Sequence, residues 1–135
     1  MATISQIRTG LATNLAKVSG LRTSSFVPDQ VNPPIAVVIP QRIMFDTAFK
    51  RGLDTMEFTI MVIVGRADER TAQNLLDGYC NTTGATSIKT AIESDRTLSG
   101  VIQDLRVTEL RNIGPVVIGE NTYLTAEFIV SVIAQ

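Results

Sequence analysis

The chain is expected to fold as α+β: a mainly antiparallel or mixed sheet of four to five strands, with an N-terminal helix and a central helical pair packed on one face. Three observations predict this. Apolar residues recur at three- and four-residue steps near the start of the chain and again over about 69–81. They alternate over Thr55 to Val64 and over Thr122 to Ala134. The strand-like runs come in groups joined by short turns, in the order α-β-β-β-α-α-β-β, which favours an antiparallel or mixed sheet with its helices on one side.

The first helix rests on Ile4, Ile7, Leu11, Leu15 and Val18, which share one stripe. Thr3 and Gln6 fit a capping box, in which each side chain satisfies the other's orphan amide. Gly20 is a natural stop, and Gly10, inside the helix, costs about 1 kcal/mol relative to alanine. From Arg22 to Pro34, the prolines at 28, 33 and 34 forbid helix and central strand, leaving an extended connector with room for a short edge strand at Thr23 to Val27. Ile35 to Ile39 is a β-branched run expected to be a buried strand. Pro40 interrupts it, and Gln41 to Asp46 follows either as a second strand or as a bent continuation.

Phe49 to Asp54 reads as a hairpin turn, with Gly52 free to take positive φ. In the next strand Met56, Phe58, Ile60, Val62 and Val64 form one face; the other starts polar at Thr55 and turns apolar at Met61 and Ile63. A strand that is apolar on both sides needs cover on both sides, from a helix, a loop or a neighbouring subunit. Asp68 is the candidate N-cap of a helix from Glu69 to about Asn81, with Ala72, Leu75, Leu76 and Tyr79 inward and Gly78 a weak spot. Ser87 can cap a short helix that buries Ile88, Ala91 and Ile92. A strand of imperfect alternation is expected from about Val101 to Asn112, then a loop tip punctuated by Gly114-Pro115 and Gly119-Glu120-Asn121 that carries the apolar patch Val116-Val117-Ile118. The last strand, Thr122 to Ala134, has one wholly apolar face.

Residues 1–135 are read as a single domain; this length supports one core without disulfides or metals. Lys and Arg number 12 against 13 Asp and Glu, so nothing in the net charge favours a nucleic-acid backbone. Only 19% of residues are charged, below the usual quarter, which leaves more surface able to dock against protein. Arginine outnumbers lysine nine to three, fitting either interface use or genome composition. The single cysteine, Cys80, forms no disulfide within the chain. No signal peptide is expected, and no apolar run approaches the ~20 residues that span a bilayer, so no membrane partner is expected.

No catalytic, cofactor or metal residues are assigned. The chain has no histidine, which removes the commonest general base and metal ligand. Cys80, beside Leu75, Leu76 and Tyr79, reads as a small core residue. Glu57 and Glu127 fall on polar strand positions where each could pair with an arginine, and that structural role outweighs an acid/base dyad. Asp104 and Glu109 read as solvated surface. Lys50, Arg51 and nearby Arg42 form a small basic cluster, first of all a solvated turn and otherwise a contact for protein or passing DNA.

What the residues suggest is association. Ile60–Val64 and Ile129–Ile133 are apolar on both sides over part of their length, and Val116–Ile118 is apolar where a turn should be polar. Such surfaces mark interaction sites. The expected interface residues are Phe49, Lys50, Arg51 and Leu53 at the turn, and Val116, Val117 and Ile118 at the tip.

Ile-Arg-Thr-Gly-Leu-Ala-Thr-Asn-Leu (7–15), Val-Ser-Gly-Leu-Arg (18–22), Val-Pro-Asp-Gln-Val-Asn-Pro-Pro-Ile-Ala-Val-Val (27–38), Glu57 to Arg66 and Leu124 to Ala134 together resemble the tail-terminator, or tail-completion, proteins of long-tailed siphophages, especially those infecting actinobacteria. The resemblance spans nearly the whole chain but rests on no single diagnostic motif. It implies a virion protein of the tail or neck, assembled in the host cytoplasm as a ring, normally a hexamer. Such a ring caps the finished tail-tube protein, ends polymerisation and offers a surface to the head-tail connector or stopper, while DNA only passes through the lumen. The family supplies no catalytic residues, so the interface assignment rests on the residues alone. The alternatives are another neck or stopper protein, a tail-tube subunit, a small-ligand-binding regulatory α+β domain and, furthest, a hydrolase using paired carboxylates.

Overall fold

Eight elements follow one another in the order the sequence predicts: α1 (Ile4–Leu15), β1 (Arg22–Ser24), β2 (Ile35–Met44), β3 (Asp54–Arg66), α2 (Arg70–Cys80), α3 (Ile88–Glu93), β4 (Asp104–Ile118) and β5 (Asn121–Ala134). The computed structural model describes residues 3–18, 21–24, 34–45, 54–66, 70–84, 86–118 and 120–134. The strands form one mixed sheet in the order β1-β2-β3-β5-β4. β1 runs parallel to β2; every other neighbour is antiparallel.

Local signals set the helix starts. The Thr3 amide donates to Gln6 Oε1 at 2.9 Å and the Gln6 amide donates to Thr3 Oγ1 at 3.1 Å, the expected capping box. Ser87 Oγ accepts from the Thr90 amide at 3.2 Å and donates to the Asn81 carbonyl at 2.6 Å, fixing both the start of α3 and its distance from α2. Asp68 and Gly20, the other expected punctuation, lie outside the described residues.

One face of the sheet carries the main core. Ala36 and Val38 of β2, Phe58, Ile60, Val62 and Val64 of β3, and Ala126, Phe128, Val130 and Val132 of β5 pack with Ile7, Leu11 and Leu15 of α1, Tyr79 of α2, and Ile88 and Ile92 of α3. The opposite face holds a second cluster of Ile35, Val37 and Ile63, with Ile39, Met61 and Tyr123 at its margin. The register explains it, because Ile35 lies opposite Ile63 and Val37 opposite Met61. Ile63 and Ile129, expected to need outside cover, are both buried. Ile133, further along the same face of β5, is 37% exposed, so apolar surface on that face is left open at the end of β5.

Two sequence expectations change, and a third, left open, is settled. β2 continues through Pro40 with a bulge between Pro40 and Arg42, the bent continuation that was one of its two expected courses. Among the described residues β1 pairs with β2 only from Ile35 to Val37, so Pro40 has a described neighbour strand on the β3 side alone, where the bulge accommodates it. The strand expected from Val101 starts at Asp104 instead. Leu98, Ser99 and Gly100 have φ of 50°, 59° and 89°, three left-handed residues in succession that no strand accommodates. Asp95 holds this turn, its carboxylate accepting from the Ser99 amide at 2.9 Å and the Thr97 amide at 3.4 Å. Finally, β4 runs on through Gly114 and Pro115 to Ile118, so Val116-Val117-Ile118 is strand rather than loop tip.

Asn14 is buried although it lies on a helix with a polar outer side. Its Nδ2 donates to the Ile92 carbonyl at 3.0 Å, in the last turn of α3, and to the Asp95 carbonyl at 3.1 Å, which also accepts from the Leu98 amide, so it pins the end of α3 to α1.

Candidate functional site

Among the described residues Ile113, Val116 and Val117 leave exposed apolar side chains on β4 of the long β4–β5 hairpin, while Met44 and Phe45, the latter 73% exposed, stand at the end of β2. β4 is an edge strand, and its two halves differ. The first half is guarded by α3: Glu93 Oε2 accepts from the Val107 amide at 3.0 Å, and its other oxygen accepts from Lys89 Nζ at 2.6 Å. Burial works to raise the Glu93 pKa, but the Lys89 and Val107 hydrogen bonds and the charges of Lys89 and Arg96 outweigh it and hold the carboxyl below its ordinary value. A charged side chain bound to the edge amide is a means of blunting an edge strand. Beside it, Thr108 is an extra residue in the ladder, at the bulge between Val107 and Glu109.

The second half has no such cover among the described residues. A second bulge lies between Arg111 and Gly114, where Asn112 takes φ of 54° and Gly114 φ of 153°. Asn112 Nδ2 is tied to Glu127 Oε2 at 2.6 Å. Beyond it Ile113 is 54% exposed and Val117 70% exposed, with Val116 at the threshold of exposure. Pro115 lies opposite Leu124 and has no amide hydrogen, so that pair is non-hydrogen-bonded. The alternation then turns the backbone of Val117 outward, away from β5. At the turn end of this hairpin Arg66 Nη2 donates to Asn121 Oδ1 at 2.8 Å.

Of the residues expected at an interface, Val116 and Val117 lie on this arm and Ile118 ends its strand. Phe49, Lys50, Arg51 and Leu53 lie outside the described residues. Ile113 was not among those expected, although Asn112 and Gly114 flanking one apolar residue within a strand are a bulge signal that pushes that residue outward.

The carboxylates do not make a catalytic pair. Glu57 lies opposite Ser131 and Arg42, whereas Glu127 lies opposite Met61 and Arg111. Their rows are four residues apart on β3, ~13 Å at about 3.3 Å per residue. Asp104 is not simply solvated: Arg96 holds it through two hydrogen bonds of 2.9 and 3.0 Å. Among the described residues no group of three or more His, Cys, Asp or Glu could hold a metal. No helix among them is long and apolar enough to cross a membrane.

Open clefts indent the described surface. One of about 190 Å³ lies between the end of α2, α3 and β4, with Val107, Leu110 and Phe128 as its floor and Cys80, Lys89 and Glu109 around them. Cys80 is half-buried there, and burial, then the charge of Asp77, pushes its thiol pKa up, the reverse of what a nucleophile needs. A second, of about 350 Å³, is lined chiefly by Val64, Ala72, Leu75 and Tyr123. A third, of about 290 Å³, is bordered by the Arg96–Asp104 pair.

An α+β mixed sheet with helices on one face and a long edge hairpin is thus the class of fold. No protein-family model and no curated protein matches the chain. Among solved structures it is similar to a chain of the virion of a native gene transfer agent particle, with a TM-score of 0.50 and 12% identity over 99% of this chain and 96% of that one. At that identity the likeness is one of fold.

Proposed function

We propose that this chain is a virion structural protein that works by self-association: a tail terminator whose copies close into a ring, cap the tail tube, end its polymerisation and dock the head-tail connector. The observation that carries the reading is the β4–β5 arm, an edge hairpin whose outer half presents Ile113, Val116 and Val117 to solvent. The fold likeness to a chain of a gene transfer agent virion supports a place in a virion, and the resemblance to tail-completion proteins supports the terminal position.

Electron microscopy of the purified protein, with and without tail-tube protein, tests this. Single rings alone, and rings at the ends of tubes of limited length, are expected. Long tubes built from this chain alone would make it a tube subunit, and a monomer at every concentration by light scattering would remove self-assembly altogether. Val117→Asp is expected to abolish rings while leaving the monomer folded, because an exposed strand position tolerates aspartate but a buried contact does not.

A further inference from the structure

We infer that Glu93 and Asp104 form an autoinhibitory cap on the edge strand β4, which keeps a second copy of the chain from pairing its own β4 there. The inference does not rest on the ring and concerns the half of β4 that the arm does not use.

The ladder shows which backbone groups this edge presents. β5 pairs on both sides without a bulge of its own, and Pro115, which has no amide hydrogen, stands opposite Leu124 in a non-hydrogen-bonded pair. The residues opposite the even-numbered positions of β5, which are Leu105, Val107, Leu110, Pro115 and Val117, therefore turn their backbones to the open edge.

In the inner half both outward amides are taken. That of Leu105 donates to Asp104 Oδ1 at 2.9 Å, and that of Val107 donates to Glu93 Oε2 at 3.0 Å. Each carboxylate is held in turn by a cation. Arg96 gives Asp104 two hydrogen bonds, of 2.9 and 3.0 Å, and Lys89 Nζ reaches the other Glu93 oxygen at 2.6 Å. An incoming strand would have to displace two charge-assisted hydrogen bonds and offer two neutral ones in return. Charged side chains on an edge are a known guard against strand addition, and here both act on the backbone itself.

The partner that the caps exclude is a second copy. Leu105 and Val107 belong to the main core, so Asp104 and Arg106 stand on the opposite face of the strand. A cleft of about 290 Å³ opens beside Arg96, Asp104 and Arg106, which leaves that flank of β4 accessible among the described residues. Two β4 edges approaching antiparallel about a two-fold axis at Leu105 would form a hydrogen-bonded pair of the two Leu105 residues, with the Val107 amides next in line. The same register sets Asp104 of each copy opposite Arg106 of the other, a favourable cross-strand pair. The inner edge is thus self-complementary in backbone and in charge, and the amides this register draws on are the two that the carboxylates hold.

Two pairs of substitutions test this. Glu93→Ala/Arg96→Ala removes one cap and the clamp on the other, leaving Asp104 to meet Arg106. Glu93→Gln/Arg96→Lys keeps an acceptor for the Val107 amide and a cation for Asp104. Both are made in Val117→Asp, so that assembly through the arm does not mask a dimer; rings that persist there would count against the ring reading and leave the comparison between the two pairs intact. Sedimentation velocity should show the alanine pair dimerising at least ten-fold more tightly than the conservative pair. Arg106→Glu added to the alanine pair should reverse the gain by setting acid opposite acid. Equal association of the two pairs, or a dimer that Arg106→Glu leaves unchanged, would overturn the inference. Amide exchange on the wild-type protein guards against a variant that does not fold. The Leu105 and Val107 amides should exchange at least ten-fold more slowly than that of Leu110, which faces the same edge, and at a rate independent of protein concentration. Rates equal to that of Leu110 would overturn the caps.

Discussion

Gly10→Ala puts the packing of α1 to a test in which sequence and structure disagree about sign. A glycine inside a helix costs about 1 kcal/mol relative to alanine, so helix propensity alone has the substitution stabilise the protein by that amount. The structure reverses this. A Cβ at position 10 would stand 3.0 Å from both Cβ and Cδ1 of Leu98 and 3.2 Å from its Cγ, against a favourable carbon–carbon separation of about 3.5–4.0 Å. The Leu98 Cδ1 can rotate away, but its Cβ moves only with the backbone. That backbone is held: Leu98 has φ of 50°, its amide donates to the Asp95 carbonyl at 3.3 Å, and the Ile102 amide donates to the Thr97 carbonyl at 3.0 Å. Overpacking a fixed site costs about 1–3 kcal/mol, so after the propensity gain Gly10→Ala should come out about 1 kcal/mol less stable. In urea that lowers the midpoint by roughly 0.5 M, and in a thermal scan of a chain this size by about 3–5 °C. Leu98→Gly removes the opposing Cβ and suits the left-handed φ. In that background Gly10→Ala should instead gain about 1 kcal/mol, a coupling of ~2 kcal/mol across the cycle. A higher midpoint for Gly10→Ala in the wild-type background, or an equal cost in both backgrounds, would refute the close approach of α1 to the 98–100 turn.

Two further outcomes follow from buried and charged groups. Asn14→Ala removes two hydrogen bonds, leaving the Ile92 carbonyl without its side-chain donor while the Asp95 carbonyl keeps the Leu98 amide, and at about 1 kcal/mol per bond plus one desolvated acceptor should cost about 2–3 kcal/mol; an unchanged denaturation midpoint would show that water replaces the amide. Acid should destabilise the fold through Glu93 and Asp95. Desolvation works to raise the Asp95 carboxyl, but the amides and hydroxyls of Ser99 and Thr97 hold it below its ordinary value, as Lys89 and Val107 do for Glu93. Both folded-state values lie below the unfolded ones, so the stability they supply is present above the ordinary 4.5 and 3.8 and is lost as pH falls through the folded values. Urea midpoints against pH should therefore fall below about pH 4.5 for wild type and fall less steeply for Glu93→Gln; parallel curves would show that Glu93 is not bound as described.

The amino-acid sequence by itself determined the eight elements, their order and the helix stripes, because each depends on periodicity or on a cap a few residues away. Thr3 with Gln6, and Ser87 before Ile88, act within one turn and were legible for that reason. Half of the arm was legible too: Val116 and Val117 stand out as apolar residues in a segment punctuated by glycine and proline. Only the tertiary structure decided what depends on neighbours distant in the chain. Pro40 sits inside a strand because a bulge between Pro40 and Arg42 lets the ladder with β3 resume past it. Asn14 is buried because the carbonyls it serves lie 78 and 81 residues away. Gly10 is a point of close approach because Leu98, in a turn that a strand pattern conceals, lies against it. Whether an apolar strand residue ends in the core or in solvent is likewise settled by pairing. Ile129 and Val117 are both branched aliphatics on long strands, yet one lies mid-sheet and is buried while the other lies on an edge beyond the helices and is not.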